Sequence, residues 1–343
     1  MTLRLATYNV EWFDALFDDA GALRDDPGAS ARHGVRRDAQ IAALMTVFRA
    51  LDADAVMVVE APDTNRRRST VRALEGFADV AGLRARRAVM GFANDTQQEL
   101  ALLYDPDVLE ARHDPLGPAL GEGHGAAGHA PRFDAVLRLD LDIDAKEDKV
   151  RFSKPPLELA VRTKSGRALR LIGAHLKSKA PHGATTRDEM MRLAIANRRK
   201  QLAQAIWLRR RIDGHLSAGD SLIVMGDLND GPGLDSFEAL FGRSSVEIVL
   251  GTDPALFDPH ALQALERRLS ARPTTARFYI GPEKRYLQAL LDYVMISPDL
   301  RACDPVWRIW HPFDDPDCWR DSGLREALLT ASDHFPVTLD IAL

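Results

Sequence analysis

Four short strings in this chain each set a polar residue at the end of an apolar run. They are Thr7-Tyr8-Asn9, Val58-Val59-Glu60, Met225-Gly226-Asp227-Leu228-Asn229 and Ala331-Ser332-Asp333-His334. Leu222 to Met225 has the pattern of a buried strand, and a carboxylate and an amide follow it two residues apart. Leu3 to Tyr8 leads to Asn9 in the same way, and Ala55 to Val59 leads to Glu60. Carboxylates gathered at one place repel one another and lose hydration, so something must offset that cost. A divalent cation with oxygen ligands would do so. Mg²⁺ suits a sparse carboxylate and amide set that leaves room for water and phosphate. The expected chemistry is metal-dependent hydrolysis of a phosphoester.

The elements that must hold these residues follow from apolar periodicity. Strands are expected at Leu3 to Tyr8, Ala55 to Val59, Leu83 to Met90, Glu99 to Tyr104, Phe133 to Leu141, Leu157 to Thr163, Ala168 to His175, Leu222 to Met225, Leu291 to Ser297 and Pro336 to Ile341. Ile41, Leu44, Met45, Val47 and Phe48 form a helical stripe within Val35 to Leu51. Thr64 can cap a helix running to about Val80, which would put Arg66-Arg67-Arg68 on its first turn. A long helix from Thr186 to Ile212 carries a dense basic face, read as a solvated surface with ion pairs. Asp14 to His33 is too polar and irregular for core, and Leu116 to Pro131 reads as a loop whose His124 and His129 are solvated. Hairpin-joined strand pairs alternate with single helices, an α+β or layered α/β pattern. No linker or repeat divides the chain, so one domain over residues 1–343 is expected, with insert loops at about 14–33, 114–132 and 311–330.

Composition narrows the partners. Lys and Arg number 45 against 50 Asp and Glu, a net charge of −5, which argues against affinity resting on a general positive surface. The two cysteines, Cys303 and Cys318, are too few for a disulfide framework and match no zinc spacing. No apolar stretch approaches a membrane span and no signal-like segment precedes Leu3, so a cytoplasmic protein without membrane contact is expected. No obligate protein partner is expected.

In chain order, the strings Tyr8-Asn9, Glu60, Gly173-Ala174-His175-Leu176-Lys177, Gly226-Asp227-Leu228-Asn229, Leu291-Asp292-Tyr293 and Ser332-Asp333-His334-Phe335-Pro336 resemble those of the endonuclease/exonuclease/phosphatase (DNase I-like) superfamily. The resemblance spans nearly the full length. It implies a four-layered α/β sandwich, two facing β-sheets flanked by helices, with the site at one end. It implies Glu60 as principal metal ligand, with Asn9 beside it and Asp333 completing or sharing coordination. Asp227 would orient and deprotonate the attacking water, and Asn229 would fix that water and a phosphate oxygen. His334, paired with Asp292, would sit on the non-bridging oxygens, and His175 would be the second phosphate-facing histidine and the candidate proton donor to the leaving group. Elementary chemistry asks for the same parts: an oriented nucleophile, neutralised equatorial charge and a stabilised leaving oxygen.

Lys177 and Lys154 are the candidate substrate contacts. Lys154-Pro155-Pro156 stands where related nucleases are expected to carry an arginine, and lysine keeps the charge without the bidentate fork. The insert after the first string carries Asp14, Asp18, Asp19, Asp25 and Asp26, a charge that opposes a polyanion lying across it. Trp307, Trp310 and Trp319 would be core, or would line a pocket or stack a base. The expected activity is a Mg²⁺- or Mn²⁺-dependent phosphodiesterase acting on nucleic acid, first of all DNA. The alternative is a phosphatase or phosphodiesterase acting on a small nucleotide, lipid or sugar phosphoester.

Overall fold

The computed structural model describes residues 1–118, 122–124 (backbone only), 130–140, 147–181, 183–232, 241–266, 272–280 and 284–343. Thr2–Asn9 pairs in parallel with Ala55–Ala61 and antiparallel with Val337–Ala342. Val306–Ile309, Glu99–Tyr104 and Arg87–Met90 complete this six-stranded sheet. The second sheet runs Asp292–Ile296, Leu222–Asp227, Ala168–His175, Leu157–Thr163, Leu109–His113.

Period-two alternation explains how the layers stack. Leu3, Leu5, Met57 and Val59 point from the first sheet into one core with Leu159, Leu171, Ile223, Met225 and Val294 of the second. The intervening Ala6, Tyr8, Val56 and Val58 face the helices Arg37–Leu51 and Thr70–Ala81, meeting Leu44, Val47, Phe48, Leu74 and Phe77. On the far side, Ile172, Ala174, Leu222 and Val224 meet Trp207, Leu208 and Ile212 of the helix Arg187–Ser217. Strands buried on both faces must be apolar at nearly every position, which is why Ala55 to Val59 and Leu222 to Met225 read as continuous runs. The result is the expected four-layered sandwich. No helix of the described residues is long and apolar enough to cross a membrane.

Several local expectations change. The helix over Thr70–Ala81 is capped by Ser69, not Thr64, whose Oγ1 instead accepts from the Thr70 amide at 3.1 Å. Arg66 to Arg68 therefore precede the helix: Arg68 is buried against Asp63 at 3.1 Å, and Arg67 reaches Asp19 at 2.8 Å. The polar loop after the first strand is pinned by Phe13, Leu16 and Phe17, all buried, with Phe13 edge-on to Phe77 at 5.1 Å. Residues 311–330 are not an open loop. They hold the helix Pro316–Arg320 and most of Ser322–Ala331, whose Leu328 and Ala331 join the core of Arg37–Leu51. Part of the basic face of the long helix is structural, since Arg198 and Arg211 are buried. Residues 122–124 pair in parallel with 136–138. His129 and the side chain of His124 lie outside the described residues.

Candidate active site

Register brings the polar strand ends together. His175 lies beside Asp227 in the parallel pair, and Asp292 lies opposite Asp227 in the antiparallel one. Asn9 ends the central strand of the first sheet, one step across from Val59 and hence next to Glu60. A hydrogen bond from Asn9 Nδ2 to Asp227 Oδ2, 3.1 Å, joins the two sheets at this end. Asp333 and His334 arrive on the segment before Val337–Ala342, where Ala276 bridges to His334.

Asp227 is buried and organised by its own turn. Its Oδ1 accepts from the Asn229 amide at 2.7 Å and its Oδ2 from Asn229 Nδ2 at 3.1 Å, while Nδ2 also donates to Leu176 O at 3.1 Å. Asn229 reaches the site through a left-handed backbone (φ 51°), not through strand alternation. Glu60 (φ 60°), Glu11 (φ 51°) and Trp12 (φ 61°) are also left-handed, so four residues in a costly conformation converge here.

The two histidines are electrostatic opposites. His334 Nδ1 is 2.8 Å from Asp292 Oδ2, which also accepts from Thr275 Oγ1 at 2.8 Å. Burial alone would lower the His334 pKa, but Asp292, Asp227 and Asp333 outweigh it and hold the imidazole well above its usual value. His175 is held well below its usual value by burial, then by Lys154 and His334. Its Nε2 is 2.8 Å from Lys154 Nζ, which also donates to Gln98 Oε1 at 3.1 Å. Burial brings Lys154 down to about 8, against the pull of Glu60 and Asp227. Burial pushes the carboxyls of Asp227 and Asp333 up to about 7, with His334 opposing in both.

Residues 6–334 match the Endonuclease/Exonuclease/phosphatase family. The chain belongs to that family. It is a metal-dependent phosphoesterase of the nuclease or phosphatase kind. No curated protein matches it at the level of sequence. Among solved structures it is similar to TDP2 from Caenorhabditis elegans, with 13% identity and a TM-score of 0.51 over 100% of this chain and 75% of that one. An endonuclease/exonuclease/phosphatase family protein from Bacteroides thetaiotaomicron gives 12% identity and 0.52 over 100% and 99%. The 3′ phosphatase NExo from Neisseria, bound to product DNA hairpin, gives 13% identity and 0.51 over 99% and 100%. At these identities the likeness is one of fold.

The donor chemistry fits the divalent cation that the family uses. The carboxyls of buried Asp227 and half-buried Asp333, both pushed to about 7, and an Asp292 Oδ1 with no partner mark a place short of positive charge. Ligating atoms of Asp227, Asp292 and His334 lie within 4.8 Å of one another. That trio differs from the expected Asn9, Glu60 and Asp333. Its histidine, however, is committed to Asp292 and held positive, which makes it a donor to anions rather than a ligand. Glu60 keeps Oε1 toward the cleft, 4.0 Å from His175 Nε2, while its Oε2 accepts from the Trp12 amide at 2.9 Å. Asn9 Oδ1 accepts from the Glu11 amide at 3.1 Å and retains a second lone pair.

Asn9, Glu60, His175, Asp227, Asp333 and His334 line one cleft of about 1670 Å³, and Asp292 stands behind His334. Lys154, Lys177 and Lys179 all line it, and Lys179 also pairs with Asp230 at 2.5 Å. The acidic insert faces a separate depression lined by Asp14, Asp18 and Asp19, and its Asp19 and Asp26 are paired with Arg67 and Arg37. Two of its five acids are therefore answered locally. Sequence reasoning missed Glu11, whose Oε2 accepts from the Asp333 amide at 3.0 Å and pairs with Arg32. Its place two residues after Asn9 was the available signal. Nothing in the sequence singled out Thr275, which braces Asp292.

Proposed function

We propose that the protein is a phosphodiesterase acting on nucleic acid, first of all DNA, with Mg²⁺ or Mn²⁺ as cofactor. The observation that carries this reading is the placing of the Asp227 carboxylate in one cleft with three cationic donors, His334, Lys154 and Lys177. A cleft of about 1670 Å³ also exceeds what one phosphoryl group occupies and leaves room for the chain on either side. Asn9, Glu60 and Asp333 are the residues proposed to hold the cation, which when bound neutralises phosphate charge and stabilises the leaving oxygen.

The chain's own groups divide the remaining work. Asp227, oriented by Asn9 and Asn229, accepts the proton of the attacking water at a carboxylate oxygen. His334 donates from Nε2 to a non-bridging phosphate oxygen, with Asp292 on its Nδ1 fixing the tautomer. Lys154 and Lys177 hold phosphate charge. His175 Nε2 accepts from Lys154, so the transferable proton of that pair sits on Lys154 Nζ, and His175 positions it. This replaces the expected role of His175 as the donor itself.

The test is a gel assay of purified protein with Mg²⁺ or Mn²⁺ on single- and double-stranded DNA and RNA. His334→Ala and EDTA serve as controls, and phosphate release from small monoesters runs in parallel. Strand cleavage abolished by both controls is the expected result. Phosphate release without strand cleavage would move the substrate to a small phosphoester. Silence in both assays would leave a binding protein.

A further inference from the structure

One wall of the cleft is the hairpin Ala276–Ile280 and Arg285–Ala289, and it is rooted in the catalytic segment. The Arg277 amide donates to Asp333 O at 2.7 Å, and the Phe335 amide donates to Thr275 O at 2.6 Å. Alternation gives the hairpin two faces. Phe278 lies edge-on to the His334 ring, 5.5 Å between centroids, and closes the site. The other face carries Arg277, Tyr279 and Tyr286.

From that face a ladder of rings and guanidiniums runs away from the reaction centre. Tyr279, at the cleft's edge, stands opposite Tyr286 with ring centroids 5.2 Å apart. The Arg277 guanidinium sits 3.4 Å from the Tyr286 centroid and 5.4 Å from that of Phe313. Phe313 is 6.2 Å from Trp319, and the Arg325 guanidinium is 4.7 Å from the Trp319 ring. Tyr279, Tyr286 and Trp319 are 55%, 50% and 52% exposed. A cross-strand tyrosine pair helps to hold two strands together, but that explains neither Phe313 nor Trp319 continuing the row.

Building on the nucleic-acid reading of the site, we propose that this ladder is a track for single-stranded nucleic acid. It would stack successive unpaired bases flanking the scissile phosphate. Half-exposed ring faces accept any base, and interleaved guanidiniums add cation–π attraction and meet the phosphates. Continuity with the cleft selects a nucleic acid over a protein partner, because the row begins where the reacting phosphate would sit. Two of the nearby acids are answered by an arginine: Asp315 and Asp317 pair with Arg308. A duplex keeps its bases stacked on each other and gains little from such a surface.

The experiment measures binding of fluorescein-labelled oligothymidylates of three and twelve nucleotides to the full chain in Mg²⁺, with His334→Ala stopping turnover. In that background, Trp319→Ala and Tyr286→Ala should each weaken binding of the twelve-mer roughly tenfold or more. The loss should grow with length and be far smaller on the three-mer for Trp319→Ala. Trp319→Phe should restore most of the affinity. Equal losses at both lengths, no loss at either, or a twelve-mer duplex bound as tightly as the single strand would overturn the track. Hydrolysis of bis(p-nitrophenyl) phosphate by the wild-type chain tests the phosphodiesterase reading separately. Its absence would sink that reading while leaving the binding comparison informative.

Discussion

Lys154 Nζ lies 2.8 Å from His175 Nε2, and both groups are buried at the floor of the cleft. An ammonium can only donate, so the imidazole accepts and its proton resides on Nδ1. Lys154 titrates at about 8, so it is charged below that pH and neutral above. kcat/KM should therefore fall as pH rises through about 8. Lys154→Met should have lower activity throughout but lack this limb, and Lys154→Arg should carry its charge past it. A pH–rate profile that keeps the limb in Lys154→Met would assign it elsewhere.

Asp292 does for His334 what no sequence neighbour could. Asp292→Asn keeps an oxygen for Thr275 and for His334 Nδ1 but removes the largest of the three carboxylate effects that hold the imidazole positive. The expected result is a kcat lowered about 10²–10³-fold, the usual cost of weakening one preorganised donor. The His334 pKa, read by NMR, should fall in the variant. An unchanged kcat would remove His334 from charge stabilisation.

How much of this was legible beforehand follows from the range over which each residue acts. Strands buried on both faces announced themselves as apolar runs, and the polar residues at their ends make the candidate site: Asn9, Glu60, His175, Asp227 and Asp292 sit on or at the ends of those strands. What stayed hidden depends on packing between distant segments. Thr64 and Ser69 are both good caps, and only the loop's hydrogen bonding decides between them. Arg198 and Arg211 read as solvated charge on a helix face, yet these two side chains are turned inward, where Arg198 lies 3.7 Å from Asp230 and Arg211 lies 3.5 Å from Glu158. The charge states of His175 and His334 depend on partners 21 and 42 residues away, which no local pattern encodes.

Glu11 links the first motif to the last. Its Oε2 accepts the Asp333 amide at 3.0 Å and pairs with Arg32, so it fixes the backbone that presents a proposed metal ligand. Glu11→Ala should weaken Mn²⁺ binding about 10–100-fold, the range typical of losing a group that orients a ligand. Glu11→Gln, which keeps an acceptor for the amide, should lose less. Calorimetric titration of the metal checks both, and equal losses would show that charge rather than positioning is what Glu11 supplies.

Away from the cleft, Glu99 is buried and accepts from the Asn94 amide at 3.2 Å and from Asn94 Nδ2 at 2.6 Å. Burial raises its pKa to about 7 from an ordinary value of 4.5. Between those values the folded chain holds a proton that the unfolded chain has lost. The stabilising effect is thus full below the unfolded pKa and is lost as pH rises through about 7, with a slope of at most about 1.4 kcal/mol per pH unit for one proton. Glu99→Gln should flatten this slope in denaturant unfolding between pH 5 and pH 8. A slope unchanged in the variant would place the proton on another group.

Two motif glycines should respond very differently to one added methyl. At Gly226 (φ +135°) a Cβ would lie 2.1 Å from the carbonyl oxygen of Ala174, on the neighbouring strand of the sheet that carries Asp227. Neither atom can retreat without parting the two strands, and the backbone conformation itself suits glycine. At Gly173 a Cβ would lie 2.4 Å from Met57 Sδ and 2.8 Å from its Cε, a thioether that can change rotamer. Gly226→Ala should therefore cost about 3 kcal/mol or more and displace Asp227 from Asn9, abolishing turnover even where the protein still folds. Gly173→Ala should cost about 1–2 kcal/mol and keep most activity, because the strain is taken up between the sheets rather than at the catalytic strand end. Thermal unfolding and kcat measured on both variants separate the two, and comparable losses would mean that Met57 is as immobile as the backbone.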